Sequence, residues 1–170
     1  MSVIETKNVA DALAQSQLTY VKANDSAVNT PKKDSDTLEI SAGFTAGTGS
    51  INRFFPSTGV ITEGQNVKWT VPPGLEPHTI NLPLPEDGNI PPALVPVTDS
   101  KNNVYLTIGD TLLPNAKTGD TFSGQPTGSG FLLPGQSFSL KFPKAGIYKF
   151  FCAIHPGQLG TIVVLPAASK

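Results

Sequence analysis

Residues 146–165 read GIYKFFCAIHPGQLGTIVVL, and this stretch contains the clearest fold signal in the chain. Aromatic and β-branched residues fill both of its ends, whereas Pro156 and Gly157 lie near its middle. Two such runs on either side of a turn predict two strands joined by a short loop. Cys152 and His155 fall in that loop, and the two residues between them allow the loop to curl so that both side chains face one point.

Further strands are predicted upstream of this stretch. Residues 38–42, 67–70 and 138–142 alternate apolar and polar side chains with a period of two. The 16 glycines and 16 prolines supply turns between such short runs. These features predict an all-β domain, a two-sheet antiparallel sandwich with Trp69 in its core.

Composition excludes several other classes of protein. The formal net charge of -1 favours neither nucleic acid nor an anionic membrane as a partner. No stretch of 18 apolar residues is present, so no membrane span is predicted. A single cysteine excludes an internal disulfide. The sequence also lacks a Walker-type loop, a dinucleotide-binding fingerprint and an HExxH motif.

Three residues form a candidate metal site. Cys152 is the only cysteine, and His78 and His155 are the only histidines. A thiolate and two imidazoles form a trigonal donor set that suits copper in an electron-transfer site, with a weak fourth ligand. Structural zinc prefers four strong ligands, and this set offers three. A lone cysteine is more often a small core residue and a lone histidine a surface one, so the prediction depends on their combination.

Together these stretches resemble the cupredoxins, in particular the plastocyanin- and azurin-like blue-copper domains. The resemblance covers residues 37–166 and is strongest in Pro77-His78-Thr79 and in the Cys-x-x-His-Pro-x-x-x-Gly element at 152–160. It implies a Greek-key β-sandwich that holds one type 1 copper ion through His78, Cys152 and His155. Further matching stretches are residues 55–56, 60–70, 134–138 and 146–164.

The fourth ligand is where the chain departs from the usual cupredoxin pattern. The related loop carries a methionine three residues after the histidine, and here that position is Gln158. The only methionine is Met1, so no thioether within the domain replaces it. Because axial glutamine is a known variant, Gln158 is predicted to coordinate through its side-chain oxygen. The alternatives are a three-coordinate site or a backbone carbonyl from Pro77.

Residues around the ligands are expected to support them. By resemblance, Thr79 or Ser129 ties the two ligand loops together, and the Cys152 sulfur accepts a backbone N–H. Five apolar side chains are expected to keep water from the metal, although they also suit an ordinary sandwich core: Phe131, Leu133, Phe150, Phe151 and Leu159.

The chain is predicted to divide into an extension or linker (1–36), the cupredoxin-like domain (37–166) and a tail (167–170). Residues 9–23 carry a loose helical stripe of Ala10, Leu13, Ala14, Leu18 and Val21, so the extension is either a short helix with a linker or a disordered tether. Its start lacks the apolar core of a signal peptide. The resemblance nevertheless implies an extracytoplasmic protein whose leader is absent from this chain; a cytoplasmic protein is the alternative.

Residues 83–130 are predicted to be a long irregular insertion, rich in Pro, Gly, Asn and Asp. Only Val104–Ile108 has the character of a strand. Long connections in compact domains are uncommon and often functional, so the insertion either covers the copper face, binds a partner or simply elaborates the surface.

The resulting functional prediction is a monomeric electron carrier, not an enzyme, to which redox partner proteins dock near His155. Copper enzymes of this kind need further copper centres with several histidines each, and both histidines here are already used. A copper carrier or sensor is the main alternative. A thiol enzyme using Cys152 and His155 would need the imidazole beside the thiol and usually a third orienting group, and the short loop spacing and β frame argue against it. A metal-free adhesion sandwich is a further alternative.

Overall fold

A computed structural model describes residues 3–24, 29–32, 35–46 and 49–168. The helix α1 spans Val3–Asn24, and a short 3₁₀ helix spans Asp110–Leu112. The strands of these residues are β1 (Thr37–Ala46), β2 (Gly49–Phe55), β3 (Thr58–Thr62), β4 (Asn66–Thr70), β5 (Asn81–Leu82), β6 (Leu94–Thr98), β7 (Val104–Ile108), β8 (Asp120–Thr121), β9 (Thr127–Gly128), β10 (Ser137–Lys141), β11 (Gly146–Phe151) and β12 (Leu159–Leu165).

Two five-stranded sheets form the sandwich, which confirms the predicted fold class. Their strand orders are β2-β1-β4-β10-β8 and β3-β12-β11-β5-β9. Both sheets are mixed, because β4 runs parallel to β1, β8 parallel to β10, and β3 parallel to β12. The predicted antiparallel pairing is therefore correct for only part of each sheet. Local alternation reports which face of a strand is buried, and it contains no information on the direction of the neighbouring strand.

The period-two pattern correctly identified the core. In β4 the side chains of Val67 and Trp69 are buried while their neighbours are partly exposed, and β12 alternates in the same way. Trp69 is fully buried, as predicted, and packs against aromatic rings from both β10 and β11. Burial of these rings is the main stabilising term for the sandwich, since each removes a large apolar area from water.

The N-terminal segment contains a helix, which is longer than the stripe in its sequence indicated. Tyr20 stacks on Phe44 of β1 with ring centroids 3.7 Å apart, and its edge meets Phe55 of β2. Leu13 and Val21 of the predicted stripe are half-buried, whereas Ala10, Ala14 and Leu18 are exposed. An aromatic contact therefore holds the helix, and most of the aliphatic stripe lies on the surface. Parts of the predicted linker, residues 25–28 and 33–34, lie outside the described residues, as do the last two of the tail.

The segment 83–130 is less irregular than its composition indicated. Strand β8 is an edge strand of one main sheet and β9 is an edge strand of the other. Strands β6 and β7 pair with each other as a separate antiparallel ribbon. Val104–Ile108 is a strand, as predicted, but its partner β6 contains Pro96 and was missed. The turn of the ribbon is organised by the Asp99 carboxylate, which accepts hydrogen bonds from the backbone N–H groups of Lys101 and Asn103.

No helix among the described residues has the length and apolarity that a membrane span requires.

Candidate metal centre

His78 lies between β4 and β5 and is fixed to a neighbouring loop by its backbone. Its N–H donates to the Leu132 carbonyl at 3.0 Å, and its own carbonyl accepts from the Leu132 N–H at 2.8 Å. The side chain is almost fully buried, with 2% of its surface exposed. The backbone thus holds the imidazole inside the end of the sandwich.

The other candidate ligands lie in the loop between β11 and β12, as the sequence predicted. Two backbone hydrogen bonds close this loop: Cys152 N–H donates to the Gln158 carbonyl at 3.0 Å, and Gln158 N–H donates to the His155 carbonyl at 3.1 Å. Gly157 has φ +81°, a conformation that glycine adopts without strain and that completes the curl. The two hydrogen bonds and this glycine hold Cys152, His155 and Gln158 in one curled loop.

The three predicted ligands converge on one point. The sulfur of Cys152 and one ring nitrogen each of His78 and His155 all lie within 4.8 Å of one another. Cys152 Sγ is 3.5 Å from His155 Nδ1, and the two imidazole centroids are 4.6 Å apart. Donor atoms gathered in this way form a group into which a single metal ion fits.

Gln158 points into the same group. Its side chain is fully buried, and its Oε1 accepts a hydrogen bond from His78 Nδ1 at 2.9 Å. Its Nε2 is buried without a hydrogen-bond partner. Leaving a buried polar atom unpaired costs about 1–3 kcal/mol, so this position is not explained by packing alone.

Burial also changes the proton affinity of His78. The pKa of His78 is lowered to about 4, chiefly because the buried cation is poorly solvated and secondarily because of the nearby His155; the hydrogen bond to Gln158 and the charge of Glu76 act in the opposite direction. The imidazole is therefore neutral at pH 7. A neutral ring is the form that binds metals, so burial favours metal binding at this residue.

Thr79, not Ser129, links the two ligand segments. Its backbone N–H donates to Cys152 Sγ at 3.4 Å, which confirms the expected N–H···S contact. Its side-chain Oγ1 accepts from the Ala153 N–H at 2.8 Å. Ser129 Oγ instead accepts from the Ile80 N–H and donates to the Gly130 carbonyl, so its contacts do not reach the cysteine loop.

The expected apolar shell is only partly interior. Phe150 and Phe151 are buried, and Phe150 packs against Phe54 and Trp69 in the core. The other three residues do not belong to the sandwich core. They are substantially exposed because they flank the loops at the surface: Phe131, Leu133 and Leu159.

His155 is the most exposed of the candidate ligands. Its side chain is 13% exposed, and its Nε2 lies 3.6 Å from Glu76 Oε2. Glu76 is itself partly exposed, so its charge is largely solvated. The edge of the His155 ring that faces away from the cysteine is thus close to both water and a carboxylate.

Three neighbours of the site were not identified from the sequence. They are Glu76, Asn81, whose Nδ2 donates to Thr79 Oγ1 at 2.9 Å, and Gly43, which lies against the His78 ring. Asn81 follows Thr79 by two residues, and in a strand this spacing puts both side chains on one face, so the signal was present. The contact of Gly43 arises between distant segments and has no local signal.

The residues fit a transition-metal ion that accepts sulfur and nitrogen. The set offers one thiol sulfur, two imidazole nitrogens and one amide oxygen, and Gln158 Oε1 is hydrogen-bonded to the His78 ring at Nδ1. A soft sulfur beside imidazoles, with only a weak fourth donor, is typical of copper sites.

Comparisons with known proteins give likenesses of structure only. No protein-family model matches the chain, and no curated protein matches it. A methionine-to-glutamine mutant of amicyanin with Cu(I) has 15% identity and a TM-score of 0.46, covering 76% of this chain and 83% of its own. A novel purple cupredoxin from Nitrosopumilus maritimus has 21% identity and a TM-score of 0.43, covering 75% of this chain and 98% of its own.

A reduced proline-to-phenylalanine mutant of amicyanin is similar to the same extent, with 16% identity and a TM-score of 0.44, covering 76% of this chain and 82% of its own. These identities and TM-scores are too low to indicate a function.

Proposed function

We propose that this protein is a type 1 copper protein that transfers single electrons between redox partners. The observation that supports this proposal is the convergence of Cys152, His78 and His155 within 4.8 Å at the end of a β-sandwich. Each ligand type has a reason to be there, since a thiolate suits Cu(I), imidazoles suit Cu(II), and the trigonal set serves both. The bound ion supplies a one-electron Cu(II)/Cu(I) couple.

The protein's part in this function is to hold the metal-binding atoms in fixed positions and to keep water away from them. The backbone hydrogen bonds between Cys152 and Gln158, between Gln158 and His155, and between His78 and Leu132 fix both ligand segments. Cys152 and His78 are buried, so water has little access to them. Donors that do not move between oxidation states reduce the reorganisation that accompanies electron transfer.

Gln158 is proposed as the axial ligand, through Oε1. It is fully buried, it faces the His78 nitrogen, and its amide nitrogen has no partner. An amide oxygen is a harder donor than a thioether and favours Cu(II), so the reduction potential is expected to be lower than with an axial methionine.

Electrons are proposed to enter and leave through His155. Its ring is the ligand nearest to solvent, and exposed apolar side chains such as Leu133 and Leu159 are available around the loops for weak contacts. Redox partners typically use small interfaces of this kind. The domain at 37–166 is proposed to act as a monomer in an extracytoplasmic compartment, with residues 1–36 as its extension.

A copper carrier or sensor is the second candidate, since it would use the same donors without rapid redox cycling. The two are separated by loading the metal-free protein with Cu(II) and recording visible and EPR spectra together with cyclic voltammetry. An intense thiolate-to-copper absorption with a reversible couple supports the electron carrier. Binding of Cu(I) alone, without colour, supports the copper carrier or sensor.

Cys152→Ser is the matched control for this experiment, because it replaces the sulfur by oxygen at nearly the same size. The absorption band and the couple are expected to disappear in this variant. Wild-type protein that is folded but binds no copper, or a Cys152→Ser protein with undiminished colour, would refute the proposed function.

A further inference from the structure

The hydrogen-bond roles of the Thr79 hydroxyl are fixed by its neighbours. Asn81 Nδ2 and the Ala153 backbone N–H both donate to Thr79 Oγ1, at 2.9 Å and 2.8 Å. A hydroxyl oxygen accepts two hydrogen bonds and donates one. Both acceptor positions are occupied by groups that only donate, so the single hydroxyl proton must point elsewhere.

The remaining direction leads to the candidate copper ligand. Thr79 Oγ1 lies 3.7 Å from Cys152 Sγ, within the range of a hydrogen bond to sulfur. Thr79 is fully buried, so no solvent competes for the hydroxyl proton. The sulfur thus receives two donors from one residue, the Thr79 backbone N–H and the Thr79 hydroxyl.

We propose that Asn81 is a positioning residue that holds the Thr79 hydroxyl as a donor to the Cys152 sulfur. The inference deepens the proposed copper function and rests on it. Asn81 is suited to this role because it is buried and its backbone is held between two strands, paired with Phe151 on one side and Gly128 on the other.

The expected consequence is a higher reduction potential. Hydrogen bonds donated to a thiolate withdraw electron density from the sulfur and stabilise the more electron-rich, reduced state. Without the constraint from Asn81, nothing would prevent the hydroxyl proton from turning to another acceptor. Asn81 would therefore influence the potential from two hydrogen bonds away, without contact with the metal.

Asn81→Asp tests this directly, because it retains the shape of the side chain but offers Thr79 an acceptor in place of a donor. The hydroxyl proton is then expected to turn from the sulfur to the introduced carboxylate. Thr79→Val removes the hydroxyl at nearly constant size, and Thr79→Ser retains it. These two variants test the hydroxyl separately if a buried carboxylate prevents folding.

In the copper-loaded protein, Asn81→Asp and Thr79→Val are each expected to lower the Cu(I)/Cu(II) ratio at a fixed applied potential by about threefold to tenfold, where tenfold corresponds to about 59 mV. Thr79→Ser is expected to match the wild type. The carboxylate also acts through its charge, so the double variant is needed: in the Thr79→Val background, Asn81→Asp should lose the part of its effect that passes through the hydroxyl.

A second measurement is independent of copper. In the metal-free wild type, NMR is expected to show contacts between the Thr79 hydroxyl proton and the Cys152 β protons, and Asn81→Asp should abolish them while the Ala153 amide stays protected. The role of Asn81 would be refuted if the Thr79 hydroxyl proton of the wild type contacted Asn81 in place of Cys152. It would also be refuted if the effects of Asn81→Asp and Thr79→Val on the Cu(I)/Cu(II) ratio were additive in the double variant. Protein that shows the predicted contacts but binds no copper would refute the proposed function and leave the positioning role supported.

Discussion

Replacing Gly43 by alanine should disturb His78 specifically. Gly43 lies at an irregularity in the β1–β2 pairing, between Ala42 and Phe44, and has φ +90°. A Cβ at this position would lie 2.5 Å from His78 Nε2 and 3.0 Å from its Cε1. Ordinary contacts begin at 3.4 Å, so the imidazole or the strand would have to move by roughly 1 Å.

Two costs can be separated in this variant. A left-handed backbone conformation costs an alanine about 1–2 kcal/mol, and overpacking a buried site adds about 1–3 kcal/mol. Gly64 provides the matched control, because its φ is +86° and an added Cβ would have no atom within 4 Å. Gly64→Ala should therefore be destabilised only by the backbone conformation, while Gly43→Ala should be destabilised by the backbone conformation and by overpacking.

The assay is urea unfolding of both metal-free variants, followed by spectra of their copper-loaded forms. Gly64→Ala is expected to be less stable than the wild type by about 1–2 kcal/mol with an unchanged copper spectrum. Gly43→Ala is expected to be less stable by about 2–5 kcal/mol with an altered spectrum. Equal stabilities for the two variants, or an unaltered spectrum in Gly43→Ala, would refute the argument that this backbone position determines where His78 lies.

Three further predictions concern the ligands themselves. Gln158→Met should raise the potential by at least about 60 mV, since a softer axial donor favours Cu(I); an unchanged potential in voltammetry would mean that Gln158 does not coordinate. The free energy of unfolding of the metal-free protein should fall by about 2–3 kcal/mol as the pH falls from 6.5 to about 4. The reason is that His78 binds a proton in this range in the unfolded chain and does not when it is buried. Glu76→Gln should raise the potential by less than about 45 mV, since exposed ion pairs contribute little.

Two of these predictions need a control. His78→Gln should flatten the pH dependence of unfolding between pH 4 and 6.5, and a slope that survives in this variant would assign the effect to another group. Glu39→Gln removes a carboxylate from a surface ion pair with Lys68 and should leave the potential unchanged. A change in potential as large as that of Glu76→Gln would show that net charge, and not proximity to His155, is responsible.

Sequence alone was sufficient for the parts of the site that are close together along the chain. Cys152, His155 and Gln158 share one seven-residue loop, so their spacing already indicated a common centre. His78 could be added because the chain has only one other histidine. The structure then brings His78 to the loop through its pairing with Leu132, a contact across 54 residues that no local pattern encodes.

Strands were predictable where one face is buried. β4 and β10 alternate clearly because they lie within a sheet whose inner face forms the core. β2 was missed because its buried residues, Phe54 and Phe55, are adjacent and do not alternate. β6 was missed because it is exposed along nearly its whole length, so no burial pattern marks it. β7 is equally exposed, so its prediction came from its residue types and not from alternation.

The buried polar atoms give an independent reason to place function at this end of the sandwich. Among the described residues, three buried side-chain atoms lack a hydrogen-bond partner, on Trp69, Thr111 and Gln158. Gln158 is the one whose side chain also contacts a candidate ligand, and that ligand, His78, is an imidazole kept neutral by burial. The unpaired amide nitrogen of Gln158 lowers stability, and an apolar side chain of similar size would avoid that cost. Gln158 presents its Oε1 to His78 beside the Cys152 and His155 donors, and a bound metal ion would give this buried polar pair a function that packing does not.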